Sequence, residues 1–102
     1  MEKEILNKIT QLGTLSYDID RIVFLINDID EDTLRKEFYN KDSDIYRAYK
    51  KGVLLAEFNI DKKLLELAQN GDIKAIQLLE DRKKNREKIT KSKKKKKHID
   101  II

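Results

Sequence analysis

The chain has 102 residues, with 23 Lys+Arg, 19 Asp+Glu, three Gly, one His and neither Pro nor Cys. This length fits one small domain, which excludes most enzyme architectures. The absence of cysteine excludes a disulfide framework, thiolate zinc sites and cysteine nucleophiles, and the single His98 excludes His-rich metal sites. No apolar run approaches the roughly 20 residues of a membrane span, and the N-terminus lacks the apolar stretch of a signal peptide. We therefore expect a cytosolic chain with no membrane partner.

The charges are distributed unevenly along the chain. Residues 1 to 81 carry 12 Lys+Arg and 17 Asp+Glu, a net charge of −5, whereas residues 82 to 102 carry 11 Lys+Arg and two acids, a net charge of +9. This split indicates an acidic folded body followed by a strongly basic C-terminal arm. Such an arm predicts a polyanionic partner, because each ammonium group that neutralises a phosphate releases condensed counterions.

Apolar residues recur at helical rather than strand-like spacing along the chain, which predicts an all-α fold. We expect a first helix over residues 4 to 12 that ends at Gly13. Thr14 or Ser16 would then cap a second helix over residues 17 to 27. The predicted apolar stripes are Ile5, Ile9 and Leu12 in the first helix and Ile19, Ile22, Val23, Phe24, Leu25 and Ile26 in the second.

Helix-start signals predict a third helix over residues 30 to 39, with Asp30 as its N-cap and Leu34 and Phe38 facing inward. The second and third helices are expected to be separated by two or three residues, which gives them the proportions of a helix-turn-helix. In that interpretation Arg35, Lys36 and Tyr39 lie outside the core and face DNA. An ordinary packed helical corner is the alternative.

A long helix is predicted over residues 45 to 69, capped by Asp42 or Ser43 and stopped by Asn70-Gly71. Asp72 would cap a last helix from about Ile73, which completes a helical hairpin. The lysine run that follows cannot pack and is expected to be disordered without a partner. The sequence thus predicts a helix-turn-helix-like domain over 1–42, an oligomerising helical hairpin over 43–82 and a flexible basic tail over 83–102.

The sequence offers little for catalysis. Asp28, Asp30 and Asp32 occur at two-residue steps, which in a helical context places them on different faces. We find no Gly-rich phosphate loop, no metal-ligand spacing and no nucleophile with a base. We therefore expect no enzymatic activity, no cofactor, no metal and no small-molecule substrate.

Residues 44 to 82 resemble the segment that follows the helix-turn-helix in small terminase subunits of tailed bacteriophages. The matching positions are Tyr46-Arg47-Ala48-Tyr49-Lys50-Lys51-Gly52, Leu64, Ala68, Gly71-Asp72, Ala75, Leu78, Leu79 and Arg82. The resemblance also places the helix over 30–39 where that family has its recognition helix. It implies a role in the initiation of phage DNA packaging in the host cytoplasm. Such subunits bind double-stranded viral DNA, assemble into rings and present the DNA to the large terminase subunit.

Two other classes stay open: a small helix-turn-helix transcriptional regulator that binds DNA as a dimer, and a protein-interaction module whose polybasic arm holds an acidic partner. The apolar faces of the hairpin predict self-association with the same hairpin of a neighbouring subunit. The candidate DNA contacts are Arg35, Lys36, Lys41, Arg82, Lys83, Lys84, Arg86, Lys93, Lys94, Lys95, Lys96 and Lys97. The candidate oligomerisation contacts are Tyr49, Val53, Phe58, Leu65, Ile76 and Leu79.

Overall fold

The computed structural model describes the backbone of residues 2 to 101 and the side chains of residues 2 to 89. The described chain is all-helical, which confirms the predicted fold class. Its helices are α1 (Lys3–Thr14), α2 (Ile19–Leu25), α3 (Glu31–Phe38), α4 (Asp44–Gln69) and α5 (Ile73–Ile101). Among these described residues, no helix combines the length and the apolar character needed to span a membrane.

The chain divides into two compact units, Met1–Asn59 and Ile60–Ile102, and the boundary falls inside α4. The first unit contains α1, α2, α3 and the first part of α4. The second contains the end of α4 and the whole of α5. Helix α5 continues past residue 83, where the flexible tail was predicted to begin. Side chains from residue 90 onward lie outside the described residues, so the predicted behaviour of the lysine run stays a prediction.

The core of the first unit is built from apolar side chains of all four of its helices. Leu34 of α3 is fully buried and Phe38 packs against the core, as predicted for an inward-facing pair one turn apart. Phe24 and Leu25, which were predicted to belong to the apolar stripe of α2, do not face the core, since they are 84% and 49% exposed. Helix α2 has only seven residues and meets the core through one face, and these two positions lie outside it. The core residues are Ile5, Ile9, Ile19, Ile22, Ile26, Leu34 and Ile45.

The end of α1 differs from the prediction. Gly13 lies inside the helix, where it is buried against α4. The helix instead ends in a Schellman arrangement, in which Tyr17 N–H donates to Leu12 O and Ser16 N–H donates to Gly13 O. Ser16 takes the left-handed conformation at φ 55°. The N-cap of α2 is therefore neither Thr14 nor Ser16 but Asp18, whose side chain accepts from Arg21 N–H.

The other predicted caps are confirmed. Asp30 accepts from Thr33 N–H at the start of α3, and Asp72 accepts from Ala75 N–H at the start of α5. Ser43 Oγ accepts from Tyr46 N–H at 3.0 Å and donates to Glu37 O at 2.6 Å, so it joins the end of α3 to the start of α4. Gly71 closes α4 at φ 89°, which is the left-handed residue expected at this position.

Candidate nucleic-acid interface

Arg35 on α3 is held by two carboxylates. Its Nη1 lies 2.9 Å from Asp20 Oδ1 of α2, and its Nε lies 3.7 Å from Glu31 Oε2 one turn earlier in α3. The hydrogen bond to Asp20 is the main cause that raises the pKa of Arg35, and the charge of Glu31 adds to it. A DNA phosphate would have to compete with both acids for this guanidinium group.

The rest of α3 is mixed in charge. Lys36, and Lys41 just beyond the helix, are exposed and have no acidic partner among the described side chains. Three acids, Glu31, Asp32 and Glu37, share the helix with Arg35 and Lys36, so its field gives phosphate little attraction.

The link between α2 and α3 is also longer than the predicted two or three residues. Helix α2 stops at Leu25 because Ile26 is extended (φ −108°, ψ 101°) and buried in the core. The connection therefore runs from residue 26 to residue 30, five residues in all. Both predicted helices are correspondingly shorter than expected, at seven and eight residues.

Asp61 near the end of α4 binds two arginines of α5 within the second unit. Its Oδ1 lies 2.6 Å from Arg82 Nε, and its Oδ2 lies 2.6 Å from Arg86 Nη2. Partial burial pushes the pKa of Asp61 upward, but the hydrogen bonds and positive charges of the two arginines outweigh it and lower the pKa. Lys83 pairs with Glu80 at 3.6 Å, whereas Lys84 is exposed and makes no ion pair in the described part of the chain.

The remaining predicted DNA contacts lie in the lysine run. The side chains of Lys93, Lys94, Lys95, Lys96 and Lys97 are outside the described residues. The described portion of α5 that leads to them already carries Arg82, Lys83, Lys84, Arg86 and Lys88. The basic residues of the second unit therefore begin well before the lysine run itself.

A third cationic group, which the sequence analysis missed, lies on the outer face of α4. Arg47, Lys50 and Lys51 are exposed, and none of them pairs with a carboxylate among residues 2 to 89. With Tyr46, Leu54 and Leu55 they line an open groove of ≈ 420 Å³. The signal is present in the sequence, because steps of three and four residues place positions 47, 50 and 51 on one side of a helix whose other side carries Ile45, Ala48 and Tyr49.

The predicted oligomerisation residues fall into two groups. Tyr49 packs edge-on to Phe38 at 4.8 Å, its hydroxyl donates to Tyr17 O at 2.9 Å, and burial raises its pKa. Leu79 is buried and Val53 is half-buried. The other three are large apolar side chains open to solvent: Phe58 (60% exposed), Leu65 (47%) and Ile76 (41%).

Across the described residues, no group of three or more His, Cys, Asp or Glu side chains could hold a metal ion. Comparison of the chain with protein-family models, with curated proteins and with solved structures found no match.

Proposed function

We propose that this protein is a DNA-binding, self-associating adaptor of the small-terminase type, which delivers double-stranded DNA to a large terminase subunit. The observation that carries the proposal is the separation of charge. Residues 82 to 102 have a net charge of +9, while the body that carries them has a net charge of −5. A basic segment of this density binds phosphate through counterion release, without any need to read the sequence of the DNA.

The geometry favours α5 over α3 as the main DNA contact. On α3, Arg35 is engaged by Asp20 and Glu31, and the neighbouring acids oppose a phosphate. On α5, Arg82 and Arg86 are likewise engaged by Asp61, and Lys83 pairs with Glu80. Lys84, however, is exposed without an acidic partner among the described side chains, and the basic residues continue into the lysine run. Lys36 of α3, with Lys41 just beyond that helix, then serves as a secondary contact.

Self-association is supported by apolar surface that the single chain leaves uncovered. Phe58 in the first unit and Leu65 and Ile76 in the second are all at least two-fifths exposed. A chain of this length buries only part of its apolar surface on folding. Contiguous exposed apolar patches mark surfaces that meet another protein, and we propose that these side chains contribute to such patches.

The salt dependence of DNA binding tests this proposal. The full chain and a chain that lacks residues 91 to 102 would be titrated with a short duplex over a range of salt concentrations. The deletion should weaken binding and flatten the slope of log K against log salt by about 0.9 for each phosphate that the shortened chain no longer binds. The matched control is Arg35→Gln with Lys36→Gln, which should leave most of the slope intact and change preference between DNA sites if these side chains read bases. An unchanged slope after the deletion would assign the arm to an acidic protein partner instead.

A further inference from the structure

In the first unit, the outer face of α4 combines positive charge with exposed apolar surface. Arg47, Lys50 and Lys51 occupy its first turns, without acidic partners among the described side chains. Leu54 and Leu55 follow one turn later and are 52% and 43% exposed. Together with Tyr46 these residues line the groove of ≈ 420 Å³, which we call the α4 groove.

An apolar floor beside three cations is a poor match for DNA alone. Phosphate contacts use the cations and leave the leucines uncovered, whereas a protein segment with an apolar anchor and flanking acids satisfies both. The occupant expected from the α4 groove is therefore an acidic segment that carries at least one large apolar side chain.

The same unit exposes such a segment. Phe24 at the end of α2 is 84% exposed, more than any other large apolar residue described. Asp28 and Asp32 follow it closely in the chain, and neither pairs with a cation in the described part of the protein. We call residues 24 to 32 the acidic edge.

We propose that the α4 groove of one copy binds the acidic edge of a second copy. Phe24 enters between Tyr46 and the leucines, and the carboxylates of Asp28 and Asp32 face the three cations. An aromatic anchor in a pocket with opposite charges around it is the arrangement that gives interfaces both affinity and register. This inference rests on the self-association in the proposed function and adds one pair of surfaces to the apolar side chains named there.

Each copy offers one groove and one edge. The contact can therefore repeat head to tail, which gives a ring or a filament, or it can form twice across a two-fold axis, which gives a dimer. The α4 groove and the acidic edge both belong to the first unit, and the proposed contact uses none of the cations of α5.

The absence of cysteine from the chain allows a direct test by site-specific cross-linking. Two single variants, Leu55→Cys in the groove and Asn27→Cys on the edge, leave Phe24, the acids and the cations in place. The two purified full chains would be mixed without DNA and treated with a short thiol-specific cross-linker. We expect the mixed product, which joins one chain of each variant, to exceed both like-with-like products. The matched control replaces Asn27→Cys with Leu15→Cys, which is exposed in the same unit but belongs to neither surface.

Charge reversal makes the test specific. Arg47→Glu with Lys50→Glu, added to the Leu55→Cys chain, should lower the yield of the mixed product by about tenfold or more, because like charges then meet. Asp28→Lys with Asp32→Lys, added to the Asn27→Cys chain, should restore that yield, which a merely misfolded variant would not do. A mixed product no greater than the Leu15→Cys control, or no recovery when both charges are reversed, would overturn the proposal.

DNA binding by the same variants separates this inference from the proposed function. All variants keep the basic end of α5, so the proposed function predicts that each retains salt-sensitive DNA binding. Cross-linking with no DNA binding would contradict the proposed function and leave the contact between copies standing. DNA binding without the mixed product would contradict the contact between copies and leave the proposed DNA binding standing.

Discussion

The Cα atom of Gly52 in α4 lies 3.2 Å from the position that a Cβ atom would occupy at Gly13 in α1. A Cβ at Gly13 would also collide with the carbonyl oxygen of Tyr49, and a Cβ at Gly52 would collide with the carbonyl oxygen of Thr10. The two helices thus cross with their backbones in direct contact. Only glycine on both sides permits this approach, which in turn lets Ile9 and Ile45 reach the same core.

We therefore expect Gly13→Ala and Gly52→Ala each to destabilise the first unit strongly. The added methyl group meets backbone rather than a movable side chain, so α1 and α4 must separate. The free energy of unfolding should fall by about 1 to 3 kcal/mol or more, measured by urea denaturation. Gln11→Ala on the exposed side of α1 is the control and should change stability by only a few tenths of a kcal/mol. Equal midpoints for all three variants would show that the helices do not cross at these glycines.

Ser16 offers a stabilising substitution. Its φ of 55° places a side-chain-bearing residue in the left-handed region at the end of α1, where glycine is the usual residue. Ser16→Gly should raise the free energy of unfolding by roughly 0.5 to 1 kcal/mol, because it removes the steric cost of that conformation. Ser16→Ala retains the cost and should show no such gain in a thermal melt. If the alanine variant melts as high as the glycine variant, backbone conformation does not limit stability here.

The core and the Gly13–Gly52 crossing show which parts of the fold the sequence predicts and which it does not. The spacing of Ile5, Ile9, Leu34 and Phe38 locates the core correctly, because a helical stripe is a local property of the sequence. The prediction that Gly13 ends a helix is wrong. From the sequence alone, a glycine that ends a helix cannot be told from a glycine that lets a second helix pack closely against the first. Its partner Gly52 lies 39 positions away, and nothing local connects the two.

The ion pairs of Asp61 make the second unit sensitive to acid. The pKa of Asp61 is lowered in the folded state from its ordinary 3.8. Its pairing with Arg82 and Arg86 therefore stabilises the fold fully above that ordinary value, and the stabilisation is lost as the pH falls through the lower folded pKa. Asp61→Asn should lower the free energy of unfolding by about 1 kcal/mol at pH 7, a value reduced for solvent screening.

Helicity followed through thermal melts at several pH values checks this prediction. The difference between the natural chain and Asp61→Asn should shrink below about pH 4 and then vanish. Glu66→Gln removes the same charge from an exposed position of α4 with no ion pair among the described residues, and should cost little at any pH. A stability difference for Asp61→Asn that persists unchanged at low pH would point to a cause other than these ion pairs.

Under the proposed function, Asp61 would compete with DNA for Arg82 and Arg86, two of the candidate DNA contacts. Asp61→Asn releases Arg82 and Arg86 from a carboxylate and should tighten binding to a short duplex by roughly two- to five-fold. Fluorescence anisotropy at moderate salt measures the change. Glu66→Gln again controls for the removal of one negative charge. Equal gains from both variants would mean that net charge, rather than release of the arginines, sets the affinity.

The candidate site can likewise be predicted only in part from the sequence, because some of its features depend on contacts between distant residues. Charge runs are visible in a sequence, so the basic arm is evident from residue order alone. Whether a cation is engaged depends on its neighbours in space, and the pairing of Arg35 with Asp20 joins residues 15 positions apart. The spacing of Arg47, Lys50 and Lys51 places them on one side of α4, but only the burial of the opposite face shows that this side is the exposed one.

Native mass measurement of the chain, alone and with a short duplex, tests most directly whether this is a self-associating DNA-binding adaptor. We expect an assembly of several copies without DNA, and the same assembly with duplex bound at low salt and released as salt is raised. A monomer under both conditions, with no bound duplex at low salt, would contradict the proposal.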